Sequence, residues 1–186
     1  YEKAEEYLAY FSSQNPERKR KQAFLYARMG RNDEACKLYE ELLFSGYQVL
    51  STVLFSMFTM SLQDRDMERA EYLTDKTVQL IRLFEAGEYQ EYAVRLELAQ
   101  AKENVEETLT CAEKMLAGIG QIGDYRSVRL YGHMSFKEPS DEFTDGMQEK
   151  AIELFRDEKS FGYMKGNRRW EELIGLHKKE KTEQMF

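Results

Sequence analysis

Hydrophobic residues recur at helical spacing along most of the chain, and this pattern predicts a succession of α-helices. Between residues 67 and 84 the apolar and small residues fall three or four positions apart, which is the period of one buried helix face. The members of that face are Met67, Ala70, Leu73, Thr74, Thr77, Leu80, Ile81 and Phe84. Applied to the whole chain, the same criterion predicts helices at residues 2–13, 17–29, 33–45, 48–62, 67–86, 89–102, 105–117, 141–157 and 168–175.

The stretch of residues 42–63 contains no charged residue, and its second half is dominated by Val, Leu, Phe and Met. A membrane-spanning helix needs ~20 mainly apolar residues, whereas hydroxyl side chains interrupt this stretch repeatedly. They are Ser51, Thr52, Ser56, Thr59 and Ser61. We therefore interpret the stretch as a buried central helix, the most enclosed helix of a soluble protein, and predict no membrane span.

A helix pair is predicted between residues 17 and 45, where small, aromatic and glycine residues surround a short turn. Ala23 lets the first helix approach its neighbour closely, and Tyr26 fills the space beside it. Gly30 frees the chain to leave the first helix, and Ala35 is the small residue at the crossing on the second helix. Upstream, Asn15 is followed by a proline, a combination typical of a helix start.

This series, which continues to Tyr39, resembles the signature of the tetratricopeptide repeat (TPR) family. Related registers recur, because Ala70 lies 35 positions after Ala35 and Thr108 lies 38 positions after Ala70, close to the period of about 34 in that family. The resemblance implies an all-α fold in which antiparallel helix pairs stack as a TPR-like right-handed superhelix. We expect a single structural unit with helical repeats at 1–117, a connecting loop at 118–140 and capping helices at 141–186.

Three aromatic-rich segments carry a second resemblance. Residues 131–137, 161–164 and 169–173 look like the end of bacterial regulators of the Cro/repressor helix-turn-helix class, in which a TPR-like sensor follows the DNA-binding domain. The resemblance implies that this chain, which opens at Tyr1 on the second helix of a repeat, is the sensor or dimerisation region of such a regulator. The DNA-binding domain is then expected outside this chain. A free-standing cytoplasmic TPR adaptor is the alternative.

The TPR resemblance also implies a binding groove, because in that family the first helices of successive repeats line a concave surface that holds a peptide or a partner helix. The positions that match are Arg20, Phe24, Arg28, Phe55, Thr59, Gln63, Ala93, Glu97 and Gln100. Their aromatic, amide and guanidinium groups suit hydrogen bonding to a peptide backbone and pairing with a carboxylate. We therefore expect a peptide or protein partner, or a homodimer; the alternative is that these residues only pack against neighbouring helices.

Composition narrows the class of protein. The 186 residues include 27 Lys and Arg against 34 Asp and Glu, which gives a net charge of −7. Because binding to a nucleic-acid backbone needs a basic face, we expect no direct nucleic-acid contact from this segment. The two cysteines, Cys36 and Cys111, lie among apolar helix positions and make no disulfide framework, which favours a reduced, cytoplasmic compartment.

The motifs of catalytic and cofactor sites are weakly represented. The two histidines, His133 and His177, have no cysteine near either, so we predict no metal site and no cofactor. Residues 118–123 read G-x-G-x-x-G, but a helix precedes them in place of the strand that a dinucleotide site requires, so we interpret them as an interhelix loop. We predict a non-enzymatic protein; a pocket in which His133 faces a buried carboxylate favours the alternative, an enzyme.

Overall fold

The computed structural model describes residues 1–12 and 15–175, and this part of the chain is all-helical, as the hydrophobic spacing predicts. Its α-helices are α1 (Glu2–Ala9), α2 (Pro16–Arg28), α3 (Asn32–Gln63), α4 (Met67–Leu83), α5 (Glu88–Ala101), α6 (Val105–Gly118), α7 (Asp141–Phe155), α8 (Glu158–Phe161) and α9 (Arg168–Leu173). Short 3-10 turns lie at Ile119–Gln121, Arg129–Tyr131 and Gly162–Met164. His177 and the rest of the predicted capping region beyond residue 175 lie outside the described residues.

Local side-chain signals account for several helix boundaries. The Asn15 side chain accepts a hydrogen bond of 2.9 Å from the backbone N–H of Glu17 at the start of α2. Asn104 accepts one of 3.2 Å from the N–H of Glu107 at the start of α6. Just beyond α2, Gly30 adopts a φ of 76°, which a residue with a side chain rarely adopts. The helix start expected at Asn15 and the turn at Gly30 are thus confirmed.

The small residues of the repeat register are buried. Ala23, Ala35, Ala70 and Thr108 are each exposed by 2% or less, so they are buried in the fold. The buried face of α4 also follows the predicted stripe closely. Its buried residues are Ala70, Leu73, Thr74, Thr77, Val78 and Ile81.

The chain folds as two compact units, each of which is discontinuous in sequence. Unit 1 comprises Tyr1–Leu54 and Asp124–Glu138, and unit 2 comprises Phe55–Gly123 and the chain from Pro139 onward. The division falls within α3, so the helix belongs to unit 1 as far as Leu54 and to unit 2 from Phe55.

An aromatic cluster forms the centre of unit 1. Phe44 of α3 packs edge-on against Tyr125 and Tyr131, with ring centroids 5.2 and 5.5 Å apart, and Phe136 lies 5.8 Å from it. Tyr131 is among the most deeply buried side chains described. Segment 124–138 thus supplies three rings to a cluster whose fourth ring comes from α3.

Unit 2 is a helical stack closed by aromatic residues. Helices α4, α5 and α6 pack against one another in succession, and α7 and α9 pack on α6. The rings of Phe155, Phe161 and Trp170 lie 5.2 to 5.9 Å apart and join α6 residues in one hydrophobic core. Met164 is fully buried there, and Tyr163 packs against the core. The C-terminal aromatic residues therefore share one hydrophobic core with α6.

Residues 32–63 form one continuous helix, so the prediction of two helices at 33–45 and 48–62 is wrong. A glycine inside a helix costs only ~1 kcal/mol relative to alanine, and Gly46 remains helical between neighbours that continue the helix. At 1.5 Å of rise per residue, α3 is roughly 48 Å long. The helix thus runs straight through the point at which a TPR pattern expects the chain to reverse direction.

One side of α3 is exposed, so the interpretation of this stretch as the most enclosed helix is also wrong. Only 11% of its most apolar 18-residue window is buried. Val49, Leu50 and Val53 are 63%, 47% and 49% exposed, whereas Tyr47, two positions before Val49, is buried. The apolar residues of α3 therefore exceed what the core can cover. By length and composition, α3 is also long and apolar enough to cross a membrane.

Candidate functional site

Three of the predicted groove residues lie on one face of α2 in unit 1. Arg20, Phe24 and Arg28 follow one another at intervals of four residues, and Phe24 is 57% exposed. The Arg28 guanidinium lies over the Phe24 ring, 5.2 Å from its centroid. Arg20 pairs with Glu17 one turn earlier, with 2.9 Å between Nη2 and Oε2. The face therefore presents an aromatic ring with a guanidinium already stacked on it.

Three further predicted residues lie at the end of α3 that belongs to unit 2. Phe55 is 53% exposed, and its ring stacks on that of Phe58 with centroids 6.4 Å apart. The Thr59 hydroxyl donates to the backbone carbonyl of Phe55 at 3.0 Å, so it is satisfied within its own helix. Gln63 is exposed at the end of α3.

The last three predicted residues lie on α5, and two of them share a cleft. Ala93 packs against the hydrophobic core of unit 2, so its role there is to support α5. Glu97 and Gln100 line a cleft of about 370 Å³ together with Lys159 and Tyr163, which follow in and after α8. The cleft lies wholly within unit 2.

The cleft is electrostatically acidic. Glu103 and Glu158 line it beside Glu97, so three carboxylates face the single amine of Lys159 among its described lining residues. Although Glu97 is an exposed residue, the surrounding walls displace water and raise the pKa of its carboxyl above the ordinary value. A cation that approached the Glu97 carboxylate would stabilise its charged form.

One wall of the cleft is held by a hydrogen bond to a buried residue. The Tyr163 hydroxyl lies 2.7 Å from the hydroxyl of Thr108, which is fully buried on α6. Because both groups can donate and accept, this contact fixes the ring of Tyr163 without consuming a charged partner. The position of the wall is therefore set by the core of unit 2.

A second constellation, in unit 1, places His133 against a buried carboxylate, that of Glu40, which is not among the predicted site residues. Glu40 of α3 is buried, and its Oε2 accepts hydrogen bonds from the backbone N–H groups of His133 at 2.7 Å and Met134 at 3.1 Å. Its Oε1 lies 2.6 Å from Nδ1 of His133. Since a carboxylate only accepts, Nδ1 carries the proton in this contact and Nε2 remains the outward nitrogen of the ring.

The outward nitrogen of His133 is partly open to solvent. The side chain is 40% exposed, and Oδ1 of the exposed Asp33 lies 3.9 Å from Nε2. The described residues contain no group of three or more His, Cys, Asp or Glu side chains arranged to hold a metal ion. The geometry is thus that of an imidazole oriented by a buried carboxylate, which can accept a proton at Nε2 and also fasten its loop to α3.

The sequence offered one faint signal for this contact. Glu40 is a charged residue at a position of α3 whose neighbours one turn away, Cys36 and Phe44, belong to the inward side of the helix. A carboxylate at such a position needs a partner. Its partner lies 93 positions later in the chain, a distance at which spacing carries no information.

No family model, no curated protein and no solved structure matches this chain.

Proposed function

We propose that this chain is a non-enzymatic helical scaffold that binds a peptide or protein, and that the cleft in unit 2 is part of its binding surface. One observation carries the proposal. Glu97 and Gln100, two of the groove residues that the TPR resemblance implies, line the same cleft, and Lys159 and Tyr163 complete it. Stacked helices α4, α5 and α6 provide the rigid support that such a surface needs.

The chemistry of the cleft selects a basic segment. Glu97, Glu103 and Glu158 can pair with Lys or Arg side chains or with a free amino terminus, and the Gln100 amide can both donate to and accept from a peptide backbone. A volume of about 370 Å³ lies at the small end of ligand sites. It accommodates one long side chain with its flanking backbone.

Binding of a library of short basic peptides to the full chain tests the proposal. Glu97→Gln removes the charge and keeps the shape of the side chain, so we expect the affinity for basic peptides to fall about tenfold, the effect of one charge-assisted contact. Glu149→Gln is the matched control, because Glu149 is an exposed carboxylate on α7 that does not line the cleft. Equal binding by both variants would rule out Glu97 as a binding residue.

The biological setting that we propose is the sensor or dimerisation region of a bacterial transcriptional regulator. The support is the resemblance of the three C-terminal segments, whose aromatic residues include Tyr131, Phe161 and Trp170, all deeply buried. The coding sequence upstream of Tyr1 tests this setting directly. A helix-turn-helix domain encoded there supports the regulator, and its absence rejects the regulator and favours the adaptor.

An enzyme is the second candidate, and the Glu40–His133 contact is the observation that favours it. A histidine oriented through Nδ1 by a buried carboxylate is the arrangement of a general base. Turnover of a panel of activated esters by the wild type and by His133→Asn tests it. Any activity that His133→Asn removes supports the enzyme, whereas activity that persists in the variant belongs to other groups.

A further inference from the structure

The side of α3 that faces solvent in unit 1 carries an apolar stripe, here called the α3 stripe and defined as Leu43, Gly46, Val49, Leu50 and Val53. Leu43, Gly46, Leu50 and Val53 follow one another at alternating intervals of three and four residues, so they lie along one line on the helix. The four larger side chains are 42% to 63% exposed. This is the spacing with which a helix packs lengthwise on a second helix.

Gly46 gives an independent indication of close approach. A glycine inside a helix costs ~1 kcal/mol relative to alanine, yet a Cβ built on Gly46 would meet no described atom within 4 Å. The described packing of the chain therefore does not require a glycine at this position. A glycine on an outward helix face lets another backbone approach closely.

The charge distribution favours a second copy of the chain as the occupant. Two copies with a net charge of −7 each repel one another over most of their surface, so they can approach most closely where the surface carries no charge. Residues 42–63 carry no charge, and the polar side chains beside the stripe are Ser45 and Thr52. A second copy can therefore dock here without burying an unpaired charge, whereas a partner selected by its charge finds no complementary group.

The area of the stripe fits such a pair. A half-exposed Leu, Val or Tyr leaves on the order of 80 Å² of side chain uncovered, so the stripe together with Tyr39, one turn before Leu43, leaves roughly 400 Å² of apolar surface per copy. A twofold pair buries that area on both copies. With the flanking polar side chains, the total approaches the ~1,000 Å² that a specific interface needs.

We propose that two copies of this chain associate side by side through the α3 stripe. Each copy contributes the same face, so Leu50 and Val53 of one copy pack against the stripe of the other, and Gly46 allows the two helix backbones to approach. The stripe belongs to unit 1, and the peptide cleft belongs to unit 2. The dimer and the peptide-binding function are therefore separate proposals that can fail separately.

Sedimentation equilibrium of the full chain over a wide range of concentrations tests the proposal. The wild type is expected to associate as a dimer. Leu50→Glu brings a carboxylate from each copy into the interface and is expected to raise the dimer Kd by at least about a hundredfold. Gln48→Glu adds the same charge to another side of the same helix and is expected to leave the Kd within about twofold. Circular dichroism checks that both variants keep their helix content.

Gly46→Ala separates association from folding. The new methyl group meets open space in the single chain and raises helix propensity, so the thermal midpoint of the monomer is expected to rise. In the dimer the same methyl group holds the two backbones apart, and the Kd is expected to rise about tenfold. A variant that is more stable yet associates less cannot be explained by unfolding.

Three results would overturn the dimer. The first is a wild type that remains monomeric over the whole range, and the second is an equal effect of Leu50→Glu and Gln48→Glu on the Kd. The third is a monomer that binds vesicles of phosphatidylcholine in a manner that Leu50→Glu abolishes, which would assign the stripe to a membrane surface. Peptide binding that still depends on Glu97 would leave the proposed function standing in each case.

Discussion

At the scale of single residues, Glu40 illustrates how one buried carboxylate organises a distant loop. Its two oxygens accept from two backbone N–H groups and from the ring of His133, and the side chain is only 12% exposed. Hydrogen bonds to a charged acceptor are roughly twice as strong as neutral ones. The loop after the Arg129–Tyr131 turn is therefore held on α3 by a polar contact as well as by the packing of Phe44.

Glu40→Gln is expected to destabilise the chain by ~1–3 kcal/mol, because the amide cannot accept all three hydrogen bonds with charge assistance and leaves a buried donor without a partner. Urea unfolding measures the change. The control is Asp33→Asn, since Asp33 is 98% exposed and lies 3.9 Å from the same ring; it is expected to change the stability by less than ~0.5 kcal/mol. Equal effects of the two variants would contradict the tether.

Glu97 makes a prediction about pH. The loss of water at the cleft walls raises the pKa of its carboxyl in the folded chain above the ordinary value of 4.5, so the folded state binds this proton more tightly than the unfolded state. The resulting stabilisation is complete below the ordinary value and is lost as the pH rises through the raised pKa. The glutamine of Glu97→Gln does not ionise, so the variant does not lose stability in this way as the pH rises.

We therefore expect Glu97→Gln to match the thermal midpoint of the wild type near pH 4 and to exceed it at about pH 7. Thermal unfolding followed by circular dichroism at several pH values measures the difference. Glu149→Gln is expected to show no such trend. A midpoint of Glu97→Gln that falls below the wild type as the pH rises would mean that the carboxylate is stabilised in the fold.

At the scale of elements, the sequence predicts where helices begin, but it does not predict that α3 continues through Gly46. The side chains of Asn15 and Asn104 accept hydrogen bonds from backbone N–H groups two or three residues away. Their role can therefore be predicted from neighbouring residues in the sequence. Whether the helix continues at Gly46 depends on whether the helix propensity of the neighbouring residues outweighs the low propensity of glycine. The sequence shows a break there, and the structure shows that the surrounding residues continue the helix.

The cap of α6 makes a prediction at this scale. Asn104→Ala removes the acceptor of the Glu107 N–H and is expected to cost ~1 kcal/mol, whereas Asn104→Asp keeps an acceptor and is expected to cost little. Differential scanning calorimetry measures both. A wild-type midpoint in Asn104→Ala would show that the first turn of α6 is held by packing alone.

At the scale of the whole molecule, the sequence predicted the all-helical class and the buried face of α4, but neither the exposed side of α3 nor the division into two units. Local periodicity identifies which side of α4 is buried because the relevant residues are one turn apart. It cannot identify that segment 124–138 packs with α3, because that pairing joins distant parts of the chain. The sequence predicted two of the cleft residues, Glu97 and Gln100, from their positions in the repeat register. It did not predict Lys159 and Tyr163.

The discontinuity of unit 1 predicts how fragments behave. A fragment of residues 1–54 lacks Tyr125, Tyr131 and Phe136, which surround Phe44. We expect it to show weak near-ultraviolet circular dichroism and to gain signal when a synthetic peptide of residues 124–138 is added. A peptide with Tyr131→Ala is the control, because Tyr131 is 2% exposed. A fragment with the full signal alone would show that the cluster is dispensable.

The contact between Glu40 and the amides of His133 and Met134 also fixes an order of events during synthesis. The partners are separated by 93 positions, and at ~5–20 residues per second the ribosome needs roughly 5 to 20 s to pass from one to the other. During that interval, α3 of the nascent chain lacks the aromatic side chains that pack on Phe44 and the N–H groups that bond to the Glu40 carboxylate. The emerging chain is thus expected to be a client of the ribosome-associated chaperones for as long as residue 138 remains unmade.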